Sequence, residues 1–110
     1  RGRGLSTPTE GCNRFELMVR LAGSDGLRHT PSGLPTLRLR VAHGSQQQEG
    51  ERSRAVEIET EVVAFGDTAQ RLARLPLGEQ VRLSGFLDRK GVKYPTLELH
   101  VTDFVVCNQI

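Results

Sequence analysis

The sequence predicts an all-β domain: a small closed barrel of five strands with one short helix between the third and fourth. Three observations predict it. Five stretches alternate apolar with polar residues, the period of a half-buried strand. A helix-start signal falls between the third and fourth of them, at Asp67. The length, 110 residues, suffices for one core without metal or disulfide staples and leaves no room for a second domain.

The elements follow in order. Residues 1 to 12, "RGRGLSTPTEGC", offer almost nothing apolar to bury and are expected to form a flexible N-terminal arm ahead of a domain spanning residues 13 to 110. From Phe15 the first strand sets Phe15, Leu17, Val19 and Leu21 against Glu16, Met18 and Arg20. "HTPSG" reads as a type I turn, with Thr30 first, Pro31 preset for the second position and Gly33 in the fourth. Pro35 pushes Leu34 toward an extended conformation, and the second strand then buries Leu37, Leu39 and Val41 while turning Arg38 and Arg40 outward. Residues 44 to 54, "GSQQQEGERSR", are polar and without period, the pattern of a long mobile loop.

The third strand starts near Ala55, with Val56, Ile58, Thr60 and Val62 inward and Glu57, Glu59 and Glu61 outward. In the helix, Asp67 is expected to cap the free amides with Gln70 completing the pair, and Leu72, Ala73 and Leu75 to form the buried stripe. Pro76 and Gly78 end it. The fourth strand, residues 80 to 87, alternates Val81, Leu83, Gly85 and Leu87 against Arg82, Ser84 and Phe86. The fifth, residues 96 to 106, sets Leu97, Leu99 and Val101 inward and Glu98, His100 and Thr102 outward. Val63, Phe65 and Phe86 break the alternation and are expected to be covered by the helix, the barrel's end or a second subunit.

Three strands, a helix and two strands is the order of the OB-fold, a five-stranded Greek-key barrel; an SH3-like barrel fits the strands but not the helix. The formal net charge is +2, so attraction to a polyanion must come from local clustering of basic side chains. Cys12 and Cys107 lack metal-site spacing and are expected to be free thiols. His29, His43 and His100 lack a ligand-like spacing, so neither metal nor cofactor is expected. No nucleophile or phosphate-loop motif occurs, which argues against an enzyme. No apolar run approaches a membrane span or the core of a signal peptide, so a soluble cytoplasmic protein is expected.

The stretch "VVAFGDTAQRLARLPLGEQVRLSGFLDRK", residues 62 to 90, resembles the bacterial single-stranded DNA-binding proteins: an apolar strand, Phe-Gly, an Ala-containing helix, a Gly turn and a strand ending in Gly-x-Leu. "NRFELMVRLAG", residues 13 to 23, and "TPSGLPTLRLRVAH", residues 30 to 43, resemble their relatives in the primosomal replication protein N (PriB) family, whose second strand follows Ser-Pro-Ser-Gly-Ile-Pro. The resemblance covers residues 13 to 107. It implies a homodimeric OB-fold protein that binds single-stranded DNA and acts in replication restart with the PriA helicase and DnaT.

It also implies DNA contacts at Arg28 and Arg54, and an interface including Arg52. Arg52 and Glu57 stand where relatives carry stacking aromatics. The loop "DRKGVKYP", residues 88 to 95, matches the family's lysine-rich loop in character, with Arg89, Lys90 and Lys93 for phosphates and Tyr94 for stacking. Arg38 and Arg40 have two readings: cross-strand pairing with Glu57, Glu59 and Glu61, or a DNA-facing role. The alternative function is a dimeric OB-fold interaction adaptor with weak or lost DNA affinity.

Overall fold

The computed structural model describes residues 11–107. Apart from Gly11 and Cys12, the expected arm lies outside the described residues. The elements are β1 (Phe15–Ser24), the two-residue β2 (Arg28–His29), β3 (Pro35–Glu49), β4 (Arg52–Phe65), α1 (Gly66–Ala73), β5 (Gln80–Arg89) and β6 (Leu97–Val106). Hydrogen-bonded neighbours run β1-β5-β6-β4-β3-β2, and a further β1–β3 pairing closes the sheet into the expected five-stranded barrel. The β4–β6 pairing, Val62 to Ala64 against Leu99 to Val101, is parallel.

The inward alternation follows from the apolar period. Val19, Leu21, Leu37, Leu39, Val41, Val62, Val81, Leu83 and Val101 fill the core, and each large aliphatic side chain so buried contributes about 1.5–3 kcal/mol. α1 plugs one end with Ala69 and Leu72. Ala73, expected in that stripe, is exposed: it is the last residue of the eight-residue helix, and the buried places are taken one turn earlier by Ala69 and by Leu72. Asp67 does not cap: the N-cap is Phe65, without a side-chain bond, and Asp67 accepts from Arg71 Nε at 3.0 Å. Asn13 acts as an extra strand partner, its amide bonding the Leu87 carbonyl at 2.7 Å and its carbonyl the Leu87 N–H at 3.0 Å.

The turn at Thr30 is as expected, with Gly33 N–H on the Thr30 carbonyl at 2.8 Å and Gly33 at φ +93°. Residues 44 to 54 correct the expectation of a loop. β3 and β4 stay paired in register from Thr36↔Phe65 to Glu49↔Arg52, turning at Gly50 with φ +62°. Beyond the barrel both faces of this ribbon meet water, so its strands carry polar side chains on both sides and lose the apolar period; Ser53 Oγ bonds Gln46 and Arg54 bonds Glu49 across them. Ile58, expected inside, therefore lies past the core and is exposed, and Val56 is half-buried.

The start of β6 departs from expectation as well. Leu97 is exposed at 69%, while Glu98 faces outward as expected and is nonetheless the one buried charged residue among those described. Leu97 sits beyond the core's edge, and Glu98 is drawn under a basic partner on the barrel's outer face. At Gly85 the β5–β6 register shifts and the His100 carbonyl lies against the glycine, leaving no room for a β-carbon.

Candidate functional site

Register assigns faces, because residues directly opposite in a sheet point to the same side. Arg38 lies opposite Val63, Val63 opposite His100, and His100 opposite Phe86, one row across four strands on the barrel's outer face. Thr36 and Phe65 pair beside this row on one side, Arg40 and Glu61 on the other.

Three rings meet there. The His100 imidazole stacks on Phe86 at 4.9 Å between centroids and 7° between planes, and on Phe65 at 6.0 Å and 21°. Within the single chain Phe65 and Phe86 are 41% and 38% exposed, so neither the helix nor the barrel's end covers them, whereas Val63 beneath them is buried. The break in alternation thus marks a surface row of rings, spaced by the pitch of neighbouring strands. Sequence reading found the irregular residues but not their use: only the register brings Phe65, Phe86 and His100, from three strands, side by side.

Charges border the rings. Arg38 Nη1 donates to Glu98 Oε2 at 2.6 Å and lies 3.5 Å from Glu61 Oε1. Lys90 Nζ reaches the same Glu61 oxygen at 3.9 Å, and His100 Nε2 lies 3.5 Å from Glu98 Oε1. The hydrogen bond to Glu98 is the main cause that raises the Arg38 pKa, against the opposing effect of burial. The part of the stabilisation that depends on the guanidinium's charge is therefore fully present at neutral pH and is lost in strong alkali, as pH rises through the folded-state value. Cross-strand pairing holds for Arg38 with Glu61 alone. Arg40 pairs instead with Asp25 at 3.6 Å, because its guanidinium lies over Gly23 at the β1 bulge; Glu57 and Glu59 have no ion pair among the described residues.

The expected contact residues fall into three places. Arg28, opposite Thr36, joins Arg38 and Asp25 around a hollow of about 110 Å³ and so adds to the ring face. Arg89, Lys90, Lys93 and Tyr94 lie at the β5–β6 turn, where the Lys90 N–H bonds Thr96 O at 2.9 Å and Gly91 and Tyr94 bond each other at 3.0 and 3.2 Å. Tyr94 is exposed, as are Val92 and Leu97 beside it. Arg52 and Arg54 sit at the hairpin tip; by alternation along β4 they project to the side opposite Glu61 and Phe65, and Arg54 is held by Glu49 at 2.7 Å. The structure thus gathers Arg28, Arg38, Arg40 and Lys90 near the rings and leaves the tip arginines apart.

Comparison with known proteins gives this arrangement its family. A family described as "Another single-strand binding protein family" matches residues 13–103. Replication restart protein PriB of Bordetella pertussis is 43% identical over 75 residues, 68% of this chain and 70% of that protein. PriB of Nitrosomonas europaea is 33% identical over 98 residues, 87% and 91% of the two chains. Among solved structures, PriB from Ralstonia solanacearum superposes with a TM-score of 0.80 at 28% identity, over 89% of this chain and all of that one. The single-stranded DNA binding protein from Thermus aquaticus shares the fold, with a TM-score of 0.72 at 22% identity over 89% of this chain and 51% of the other. By sequence and by fold, the chain belongs to the PriB family of single-strand binding proteins.

Proposed function

We propose that this protein binds single-stranded DNA without sequence specificity, as a cytoplasmic accessory of replication restart. The observation that carries the reading is the outer-face row Phe65, His100 and Phe86, with exposed phenylalanines on either side of a half-buried imidazole, beside Arg28, Arg38 and Lys90. Rings accept any base, since every base has a π-face, and guanidinium and ammonium groups accept the backbone phosphates. Arg89, Lys93 and Tyr94 extend the path over the β5–β6 turn, and Arg52 and Arg54 give a further contact at the hairpin tip. That the protein is not an enzyme follows from its family.

The homodimer, and PriA and DnaT as partners, come from family likeness. A second copy has a place to pair: residues 15 to 19 of β1 bond β5, but β3 joins β1 only from Arg20 onward, so one edge there lacks a strand among the described residues. The adaptor reading is favoured by one observation, the two carboxylates that hold Arg38 and Lys90. Titration of fluorescent oligo-dT at low and moderate salt separates the two. Saturable binding that weakens with salt supports DNA binding; no binding at low salt supports the adaptor.

A further inference from the structure

Glu61 is placed unlike the other outward glutamates of β4. One of its oxygens, Oε1, faces two cations brought in by different elements, Arg38 from β3 at 3.5 Å and Lys90 from the β5–β6 turn at 3.9 Å. Both distances are long for a charge-assisted bond, which closes to about 2.7–2.9 Å when well formed. Glu98 does the opposite. It is buried and grips Arg38 at 2.6 Å.

The two carboxylates therefore divide the work. Glu98 holds the Arg38 guanidinium at hydrogen-bond distance; Glu61, 40% exposed, loosely fills the space between Arg38 and Lys90. An anion of two or more oxygens could approach both cations more closely than this tethered side chain does. We infer that Glu61 is an internal stand-in for a DNA phosphate: it occupies the phosphate position between Arg38 and Lys90 and is displaced when the strand binds. This rests on the DNA-binding reading above and adds its regulation. The cations stay neutralised in the free protein, and the strand must outcompete a carboxylate to use them, which weakens binding to any ligand that cannot also stack on the rings.

The experiment measures oligo-dT affinity against salt for the wild type, Glu61→Gln, Glu59→Gln and the pair Glu61→Gln with Lys90→Met. Glu59 shares the strand and face of Glu61 but has no ion pair among the described residues, so it reports the general effect of removing one negative charge. Glu61→Gln is expected to bind about three- to tenfold tighter, the effect of freeing two exposed pairs. Its log–log salt slope should steepen by about 0.7 for each cation released. Glu59→Gln should change affinity less than about twofold, and the Glu61→Gln gain should shrink in the Lys90→Met background. Equal gains from Glu59→Gln and Glu61→Gln, or no gain from Glu61→Gln while the wild type binds, overturn the inference and leave the DNA reading standing. If neither protein binds at low salt while both melt cooperatively, the DNA reading itself falls, and this inference with it.

Discussion

The two halves of the β3–β4 ladder share one unbroken register and differ in everything else. In the barrel half, Leu37, Leu39, Val41, Val62 and Ala64 are buried, because other strands and α1 close over them. In the protruding half, from Gly44↔Glu57 to Glu49↔Arg52, the strands have only each other, and the side chains on both faces meet solvent. Backbone pairing thus continues well past the point where hydrophobic burial stops. Stability should reside in the first half and tolerance in the second.

The sharpest way to break this contrast is to truncate one aliphatic residue inside the barrel and one at the point where the ribbon leaves it, Ile58 opposite His43. Leu39→Ala should cost about 2–5 kcal/mol through lost transfer energy and the cavity left behind, lowering Tm by about 4–8 °C per kcal/mol. Ile58→Ala, at a site already 44% exposed, should cost less than about 1 kcal/mol. Comparable losses in thermal melts would mean that the hairpin is packed on something and is not a free ribbon.

The same contrast explains what could be read from sequence. The barrel was legible because one face of each strand is buried, and burial writes a period of two into the residues; Val19, Leu21, Leu37, Leu39, Val41, Val81 and Leu83 all lie where that period puts them. The hairpin was not legible, since "GSQQQEGERSR" has water on both sides and nothing selects an alternation. The faces of Glu98 and Leu97 follow the alternation, but the burial of one and the exposure of the other could not be read from it: alternation says which residues share a face, not where the core ends or which charge has a partner waiting. The cationic candidates Arg28, Arg38 and Lys90 could be named from composition and likeness. The ring row could not, because the adjacency of Phe65, Phe86 and His100 exists only once β4, β5 and β6 are in register.

Next in size is the buried charge. Arg38→Ala strips the short bond from Glu98, whose side chain is 10% exposed, and leaves that carboxylate short of its main partner. A loss of about 1–3 kcal/mol is expected, reduced from the fully buried case because Arg38 itself is 37% exposed. Arg40→Ala should cost under about 1 kcal/mol, since its pair with Asp25 is open to solvent. Equal destabilisation by the two would show that Glu98 finds another partner, His100 being the nearest.

Binding can be divided in the same manner. Phe65→Ala or Phe86→Ala should weaken oligo-dT binding by about 1–3 kcal/mol with little change in salt slope, because stacking releases no counterions. Replacing Arg89, Lys90 and Lys93 with alanine should instead flatten that slope by up to about 2. If the ring variants bind like wild type while Tyr94→Ala does not, the bases lie on the β5–β6 turn and not on the barrel face.

The smallest effect is expected at the hairpin tip, and it tests how far the strand travels. Arg52 and Arg54 project from the ribbon on the side opposite the ring row, and Arg54 is already engaged by Glu49 at 2.7 Å. Any phosphate there meets one available cation and one that must first leave a carboxylate. The double alanine variant should therefore flatten the salt slope by about 0.7, the share of a single phosphate contact. Its Tm should stay within a few degrees of wild type, as an exposed ion pair contributes at most about 1 kcal/mol. A slope change near zero would confine the path to the barrel face and the β5–β6 turn. A change of about 1.4 would mean that both arginines hold phosphates, that Glu49 gives way as Glu61 is inferred to do, and that the strand wraps from the ring face around the edge of the hairpin.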